Sequence, residues 1–274
     1  MHQRPRKRFS QNFLVDRHYI ERIVDAIAPS ARDNIVEIGP GRGALTRPLL
    51  ARTDFLWAIE IDRDLAAALR HEFAADRLEV IVADALTVDL ASLGDRLRLV
   101  GNLPYHVSSP LLFHCAQFVD RISDMHFMLQ AEVVDRMAAS PDSGDYGRLS
   151  VTLQSLFRVE KLFRVPAGAF NPAPQVESAV VRLVPLGAAR TAIADRSLFE
   201  AVVQAGFGQR RKTLRNALQR MIGADALAAI GIDPGARAET LSVAQFAAIA
   251  NAVSAAQFAA GRPLSQRLPD QVPP

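Results

Sequence analysis

A short polar stretch, "NLPY" at Asn102–Tyr105, follows an apolar run that is typical of a buried strand. The side-chain oxygen of Asn102 and the backbone carbonyl of Leu103 could accept both N–H bonds of a purine's exocyclic amine. That amine is a poor nucleophile because its lone pair is delocalised into the ring, and these acceptors would direct the lone pair at an electrophilic methyl group. Pro104 fixes the turn, and Tyr105 offers a ring on which a base could stack.

A second aromatic residue, Phe170, stands just before two prolines in "FNPAP". The prolines hold the segment extended and reduce the entropy lost in presenting the ring. Tyr105 and Phe170 could therefore enclose one base that is flipped out of its stack. A strand-ending turn with ordinary core aromatics is the alternative interpretation of both stretches.

A glycine-rich turn in "NIVEIGPGRGALT" is predicted to lie between a strand and a helix. Gly39 and Gly41 would let the backbone approach a ligand closely, and the N-terminus of the following helix would add a positive dipole end. With Ala44 the stretch also satisfies the G-x-G-x-x-A dinucleotide pattern. The glycine spacing alone therefore does not exclude a nicotinamide-dependent enzyme.

Two carboxylates follow the next two predicted strands at the same edge of the sheet. Glu60 in "AIEID" stands where such folds place the acceptor for ribose hydroxyls, and Asp84 in "VADAL" could receive an adenine amine. Together with the glycine turn, they predict a site for a nucleoside-containing cofactor.

The elements that must position these residues alternate along the first part of the chain. Short β-rich runs such as "NIVEI" and "LRLVGN" alternate with helical patterns such as "RDLAAALRHEFAA", which predicts an α/β fold with a doubly wound parallel sheet. We also read "VTLQSLFRV" and "SAVVRLV" as strands and the alanine-rich remainder, including "TLRNALQRMIG", as helical. The predicted domains are residues 1–186, a small helical domain at 187–264 and a loose tail at 265–274.

Composition limits the remaining chemistry. The 274 residues carry a formal net charge of +3, 49% of them are hydrophobic, and one is cysteine. A single cysteine excludes an internal disulfide and favours a reducing compartment, so we expect a cytoplasmic protein. The six histidines lack metal-ligand spacing, and the chain has no long apolar run, so we expect neither a metal site nor a membrane span.

Two basic clusters could contact the phosphates of a nucleic acid, although such runs are more often solvated faces. The second cluster falls in a helical pattern, so one helix face would be strongly positive and binding should weaken steeply with salt. The clusters are Arg6, Lys7 and Arg8 near the start, and Arg210, Arg211, Lys212 and Arg215 in the helical part.

An ordered set of motifs resembles the ribosomal RNA adenine dimethyltransferases over most of the chain. Within that family, the bacterial members that act on small-subunit RNA are the most similar. The motifs are "FSQNFL", "EIGPGRGALT", "EID", "DAL", "NLPY", "MLQAEVVDRM", "YGRLSV", "FNPAPQVESAVVRL" and "FGQRRKTLRNAL".

This resemblance implies a Rossmann-like methyltransferase domain followed by a small all-helical domain, with S-adenosyl-L-methionine as the methyl donor. The acceptors would be two adjacent adenosines near the 3′ end of 16S rRNA in the small (30S) ribosomal subunit, each dimethylated during ribosome biogenesis. A target base inside a duplex cannot reach a buried methyl donor, so it must be extruded or already unpaired.

Residue roles carry over position by position. Asn12 and Leu14 would border the cofactor, and Gly39 with Gly41 would approach it, Gly39 at its methionine part. Glu60 would take the ribose hydroxyls and Asp84 the adenine. The resemblance also implies that Asn102 bridges cofactor and base, and that the catalytic set is Asn102, Leu103, Tyr105 and Phe170.

Three positions depart from the family, which usually has glycine at Ser10 and asparagine at His106 and Gly208. Three alternatives also remain. The first is a 23S rRNA adenine methyltransferase of the macrolide-resistance type, which more often has isoleucine where Leu103 stands. The second is a ribosome-assembly binding factor with incidental catalysis, and the nicotinamide oxidoreductase is a distant third. We expect a monomer.

Overall fold

A computed structural model describes residues 12–209 and 211–259, with the backbone alone for His106. The described strands alternate with helices in the first half of the chain, as the apolar periodicity predicts. The strands are β1 (Phe13–Leu14), β2 (Asn34–Ile38), β3 (Leu56–Glu60), β4 (Leu78–Val82), β5 (Leu97–Asn102), β6 (Ile122–Gln130), β7 (Phe157–Val165), β8 (Phe170–Asn171) and β9 (Ser178–Pro185).

The helices before β7 are short, and side-chain caps begin two of them. Asp16 accepts from the backbone N–H of His18, and Asp62 accepts from that of Asp64, each at 2.9 Å. The helices are α1 (Arg17–Ile27), α2 (Thr46–Leu50), α3 (Arg63–Glu72), α4 (Ser108–Ala116), α5 (Ala131–Ala138), α6 (Arg148–Gln154), α7 (Arg196–Gly208), α8 (Leu214–Ala217), α9 (Ala224–Ala229) and α10 (Val243–Ala259).

In the described part of the chain, seven strands form one sheet in the order β4-β3-β2-β5-β6-β9-β7. Strands β2 to β6 pair in parallel, whereas β9 is antiparallel to both β6 and β7. The central parallel strands β2 and β5 are mostly apolar and buried because a doubly wound sheet is covered on both faces, whereas the edge strand β4 is partly exposed. Strands β1 and β8 form a separate antiparallel pair. The predicted α/β class is confirmed.

The chain divides into two compact units, residues 1–135 with 157–185, and residues 136–156 with 186–274. The first unit contains the sheets. The second is helical and has its own core, to which Tyr146 and Val151 belong together with residues of α7 and α10. The hydroxyl of Tyr146 donates to the carbonyl of Leu241 at 2.8 Å, which ties residues 136–156 to the later helices. Residues 136–156 therefore belong to the second unit, whereas the sequence predicts a single boundary after residue 186.

Two predicted elements are wrong in detail. "VTLQSLFRV" is not one strand, because α6 ends at Gln154 and β7 begins at Phe157. Val151 at its start is buried in the core of the helical unit, where a 3.6-residue period also accommodates apolar residues. "TLRNALQRMIG" is not a long helix, since α8 spans Leu214–Ala217 and turns follow. Of the basic cluster, Arg211 and Lys212 therefore lie in a turn and Arg215 lies on α8.

Candidate active site

The glycine turn follows β2 at the carboxyl end of the parallel strands. Gly39, Gly41 and Gly43 all have positive φ, at 68°, 56° and 77°, which glycine adopts without the strain that a Cβ would bring. The N–H of Gly39 donates to the carbonyl of Ile59 at 2.9 Å, so the turn is fixed to the end of β3. Helix α2 begins later, at Thr46, and has five residues. The N-terminus of α2 therefore follows Gly43 by three residues.

Glu60, the last residue of β3, connects this turn to the next one. Its Oε2 accepts from Gly41 N at 3.0 Å, and its Oε1 accepts from Asp62 N at 2.9 Å. Burial raises the pKa of Glu60, while backbone donors at Asp62, Gly41 and Ile61 oppose that shift. A carboxylate offers about four acceptor positions, so Glu60 can still accept from a ligand hydroxyl.

Asp84 follows β4 at the same edge. It is exposed, and its Oδ1 accepts from Leu86 N at 3.0 Å, which fixes the side chain as the cap of a short turn. Its other carboxylate oxygen can accept from a ligand amine. Asp84 and Glu60 thus stand at the ends of neighbouring strands, as predicted.

Asn102 ends β5, and its amide is oriented by the N-terminal segment. The Nδ2 donates to the backbone carbonyl of Asn12 at 3.1 Å, so Oδ1 is the acceptor end of the side chain. The N–H of Leu103 donates to the carbonyl of Met128 on β6 at 3.1 Å, which holds this turn against the sheet. The Tyr105 hydroxyl lies 2.9 Å from Ser178 Oγ.

These residues line one cavity of about 330 Å³ in the first unit. The volume and the mixture of apolar walls with a few polar groups are typical of a small-molecule site. The predicted residues that line the cavity are Asn12, Leu14, Gly39, Gly41, Glu60, Asp84, Asn102, Leu103 and Tyr105.

Phe170 is the exception among the predicted site residues. It is 4% exposed, pairs with Leu14 across β1 and β8, and belongs to the same apolar core. It is not among the residues that line the cavity. In this structure Phe170 therefore holds the β1–β8 pair together, and its stacking on a base with Tyr105 stays a prediction.

Two residues that the sequence analysis did not single out contribute to the site. Glu37 on β2 is buried, lines the cavity and accepts from Thr46 Oγ1 at 2.7 Å. Burial, reinforced by the charge of Glu60, raises the pKa of Glu37 to about 7. A Cβ on Gly101 would lie 2.4 Å from the carbonyl of Ile38, so β5 can approach β2 only with glycine there. A charged residue inside an apolar strand was the available signal for Glu37.

The described members of the two predicted basic clusters belong to the second unit. Arg211 and Lys212 are exposed in the turn after α7, and Arg215 is exposed on α8. Arg6, Lys7, Arg8 and Arg210 lie outside the described residues, as do Ser10 and the predicted tail. Gly208 ends α7 with open space at its Cβ position, so the family's asparagine would find room there.

The described residues contain no cluster of three histidine, cysteine or acidic side chains arranged to hold a metal ion. Within the same residues, no helix has both the length and the apolar character needed to cross a membrane.

The strand order, the glycine turn after β2 and the carboxylates beyond β3 and β4 together define a Rossmann-like methyltransferase. Two solved structures share the fold. A dimethyladenosine transferase from Plasmodium falciparum is 22% identical with a TM-score of 0.76, covering 91% of this chain and 98% of that one. The 23S rRNA methyltransferase ErmE is 28% identical with a TM-score of 0.68, covering 89% and 100%.

Sequence comparison narrows the class to a family. The model of the ribosomal RNA adenine dimethylase family matches residues 2–255. "Ribosomal RNA small subunit methyltransferase A" of Thiobacillus denitrificans is 57% identical over 245 residues, which are 89% of this chain and 96% of that protein. This chain belongs to the ribosomal RNA adenine dimethylase family, so the expected family and the expected methyltransferase activity are confirmed.

Proposed function

We propose that this protein uses S-adenosyl-L-methionine to dimethylate the exocyclic amines of two adjacent adenosines near the 3′ end of 16S rRNA, in the cytoplasm, during small-subunit biogenesis. The observation that carries the proposal is the orientation of Asn102, whose amide donates to Asn12 and so presents Oδ1 as an acceptor at the cavity. The relatives named for methylation of small-subunit RNA support this substrate over large-subunit RNA.

Acceptors suit this chemistry because an adenine amine needs its lone pair localised rather than its proton removed first. Asn102 Oδ1 and the Leu103 carbonyl would each accept one N–H, and both would stabilise the positive charge that develops on the nitrogen. The ring of Tyr105 would stack on the base and hold the amine in line. After one methyl group is added, a single N–H remains, so only one of the two acceptors can be used in the second transfer.

The cavity residues match the proposed cofactor. The Glu60 carboxylate can still accept from ribose hydroxyls, and the second oxygen of Asp84 can accept from the adenine amine. Gly39 faces the backbone of Asn102, and a Cβ added to Gly39 would lie 3.9 Å from the carbonyl oxygen of Asn102. The absence of a side chain leaves this space to a ligand. S-adenosyl-L-methionine, when bound, supplies an electrophilic methyl group.

The helical domain that the sequence predicts at residues 187–264 is proposed to bind RNA phosphates. Exposed Arg211, Lys212 and Arg215 support this, since each phosphate contact releases counterions.

Replacing Arg211, Lys212 and Arg215 with glutamine should weaken RNA binding about tenfold or more and flatten its salt dependence, with cofactor affinity unchanged. A charge-matched control replaces Arg52, Arg121 and Arg158, which pair with acidic side chains in the first unit. Equal losses in both triple variants would contradict a specific role.

The decisive experiment offers labelled S-adenosyl-L-methionine with unmethylated small subunits, naked 16S rRNA and 23S rRNA, and then maps the modified bases. We expect label on two adjacent adenosines near the 3′ end of 16S rRNA, as dimethyladenosine. Label confined to 23S rRNA would assign the chain to the resistance type, and RNA binding without label would assign it to the binding factors.

A further inference from the structure

Ser178 is a buried serine that touches the ring proposed to stack on the target base. It begins β9, is 0% exposed, and pairs with Gln130 on β6 and Val165 on β7. Its Oγ lies 2.9 Å from the hydroxyl oxygen of Tyr105, 73 residues away in sequence. Because strands flank Ser178 on both sides, its hydroxyl is a fixed point next to the active-site turn.

Tyr105 has less support of its own. It follows Pro104 and begins the short turn Tyr105–Val107, and its partly buried side chain lines the cavity. The turn fixes the Cα atom, but the ring can still rotate about two side-chain torsions. Burial raises the pKa of Tyr105, so the phenol stays protonated at neutral pH and the hydrogen bond to Ser178 is retained.

The start of β9 is itself held from two sides. The N–H of Ala131 on α5 donates to the carbonyl of Glu177 at 2.9 Å, directly before Ser178. The Glu177 carboxylate accepts from Arg164 on β7 at 3.0 Å, and Arg164 also donates to Asp135 at 3.0 Å. These bonds restrict movement of the strand end, so a group attached to Ser178 is held to the sheet rather than to a loop.

We infer that Ser178 is a positioning residue that holds the Tyr105 ring in the orientation that receives the target base. The inference rests on the proposed function, in which Tyr105 stacks on an adenine. With the ring held at both ends, the entropy of ordering it is not lost when the base arrives. Removing the bond should therefore lower the fraction of bound RNA that reacts, while the phosphate contacts that dominate RNA affinity stay intact.

The test is a double-mutant cycle of Ser178→Ala and Tyr105→Phe, with methyl transfer to unmethylated small subunits measured at saturating cofactor. Each single variant should lower kcat about three- to tenfold and leave KM for the subunits within about twofold. The double variant should lose no more kcat than either single variant, because both substitutions remove the same hydrogen bond. Isothermal titration should show unchanged cofactor affinity and stoichiometry. Rates are divided by this stoichiometry, so misfolded protein does not count as lost activity.

Ser150→Ala is the matched control, since Ser150 is also fully buried and its hydroxyl donates to the backbone carbonyl of Arg136 in the second unit. It should lower thermal stability without changing kcat. Full activity of Tyr105→Phe, losses that multiply in the double variant, or a kcat loss for Ser150→Ala as large as that for Ser178→Ala would each overturn the inference. A wild-type protein that methylates no adenosine in small-subunit RNA would instead overturn the proposed function.

Discussion

The two ends of the parallel sheet both contain buried polar groups, but these groups are satisfied to different extents. At the amino end, Arg98 on β5 lies between Asp33 and Asp124. Its five N–H groups each have a recorded acceptor, among the two carboxylates and the carbonyls of Ile27 and Ala28. The guanidinium therefore has no donor left for a ligand.

At the carboxyl end, like charges are buried together beside a cavity. Glu37 and Glu60 both line it, and the charge of Glu60 helps to raise the pKa of Glu37. The Oδ1 of Asn102 and the Glu60 carboxylate can still accept from a ligand. A saturated cluster of opposite charges is what stability requires, whereas clustered like charges with free acceptors are typical of a functional site.

Removing the cation at the amino end should have the largest effect, and it should act on folding. Arg98→Met leaves the buried Asp124 and the partly buried Asp33 without their shared partner, so we expect the free energy of unfolding to fall by about 3 kcal/mol. Urea denaturation measures this, and kcat per folded molecule should not change. Arg52→Met is the control, because its pair with Asp25 is exposed and should contribute about 0–1 kcal/mol. Equal losses for the two variants would contradict the contrast between the ends.

Removing the amide at the carboxyl end should instead act on catalysis. Asn102→Ala deletes the acceptor for the target amine, so methyl transfer should fall by at least about a hundredfold, while cofactor affinity stays within about tenfold. Single-turnover transfer and cofactor titration measure the two quantities.

Asn34→Ala is the matched control, since the Asn34 amide also donates to a backbone carbonyl, that of Leu93 at 2.9 Å, but at the amino end of β2. It should cost about 1 kcal/mol of stability and leave methyl transfer intact. Parallel loss of cofactor binding and transfer in Asn102→Ala would show that this residue binds the cofactor and does not activate the amine.

The same contrast explains how much of the molecule the sequence could predict. The strands and the residues that end them were predictable, because apolar runs with polar ends place Glu60, Asp84 and Asn102 at one edge. The partners of these residues were not, since the bond from Asn102 to Asn12 spans 90 positions. The burial of Phe170 was not predictable either, because it depends on the pairing of β8 with β1, which no local pattern indicates.

A substitution of Glu37 tests whether burial of like charges destabilises the carboxyl end of the sheet. Its effect should be smaller than those of Arg98→Met and Asn102→Ala. The folded pKa of Glu37, about 7, lies above the ordinary value of 4.5, so between these values the folded protein binds more protons than the unfolded chain. Wild-type stability should therefore fall as pH rises through that window. Glu37→Gln can still accept from Thr46 and removes the charge, so the variant should match the wild type near pH 5 and exceed it by about 1–2 kcal/mol near pH 8.

Denaturant titrations at the two pH values measure this difference for Glu37→Gln. Glu79→Gln, at an exposed carboxylate on β4, controls for the change in net charge and should shift stability equally at both pH values. A constant difference between Glu37→Gln and the wild type would mean that the Glu37 carboxylate is as well compensated as those of Asp33 and Asp124. Only the acceptor oxygens of Glu60 and Asn102 would then mark the carboxyl end as a functional site. The burial of like charges would no longer distinguish the two ends of the sheet.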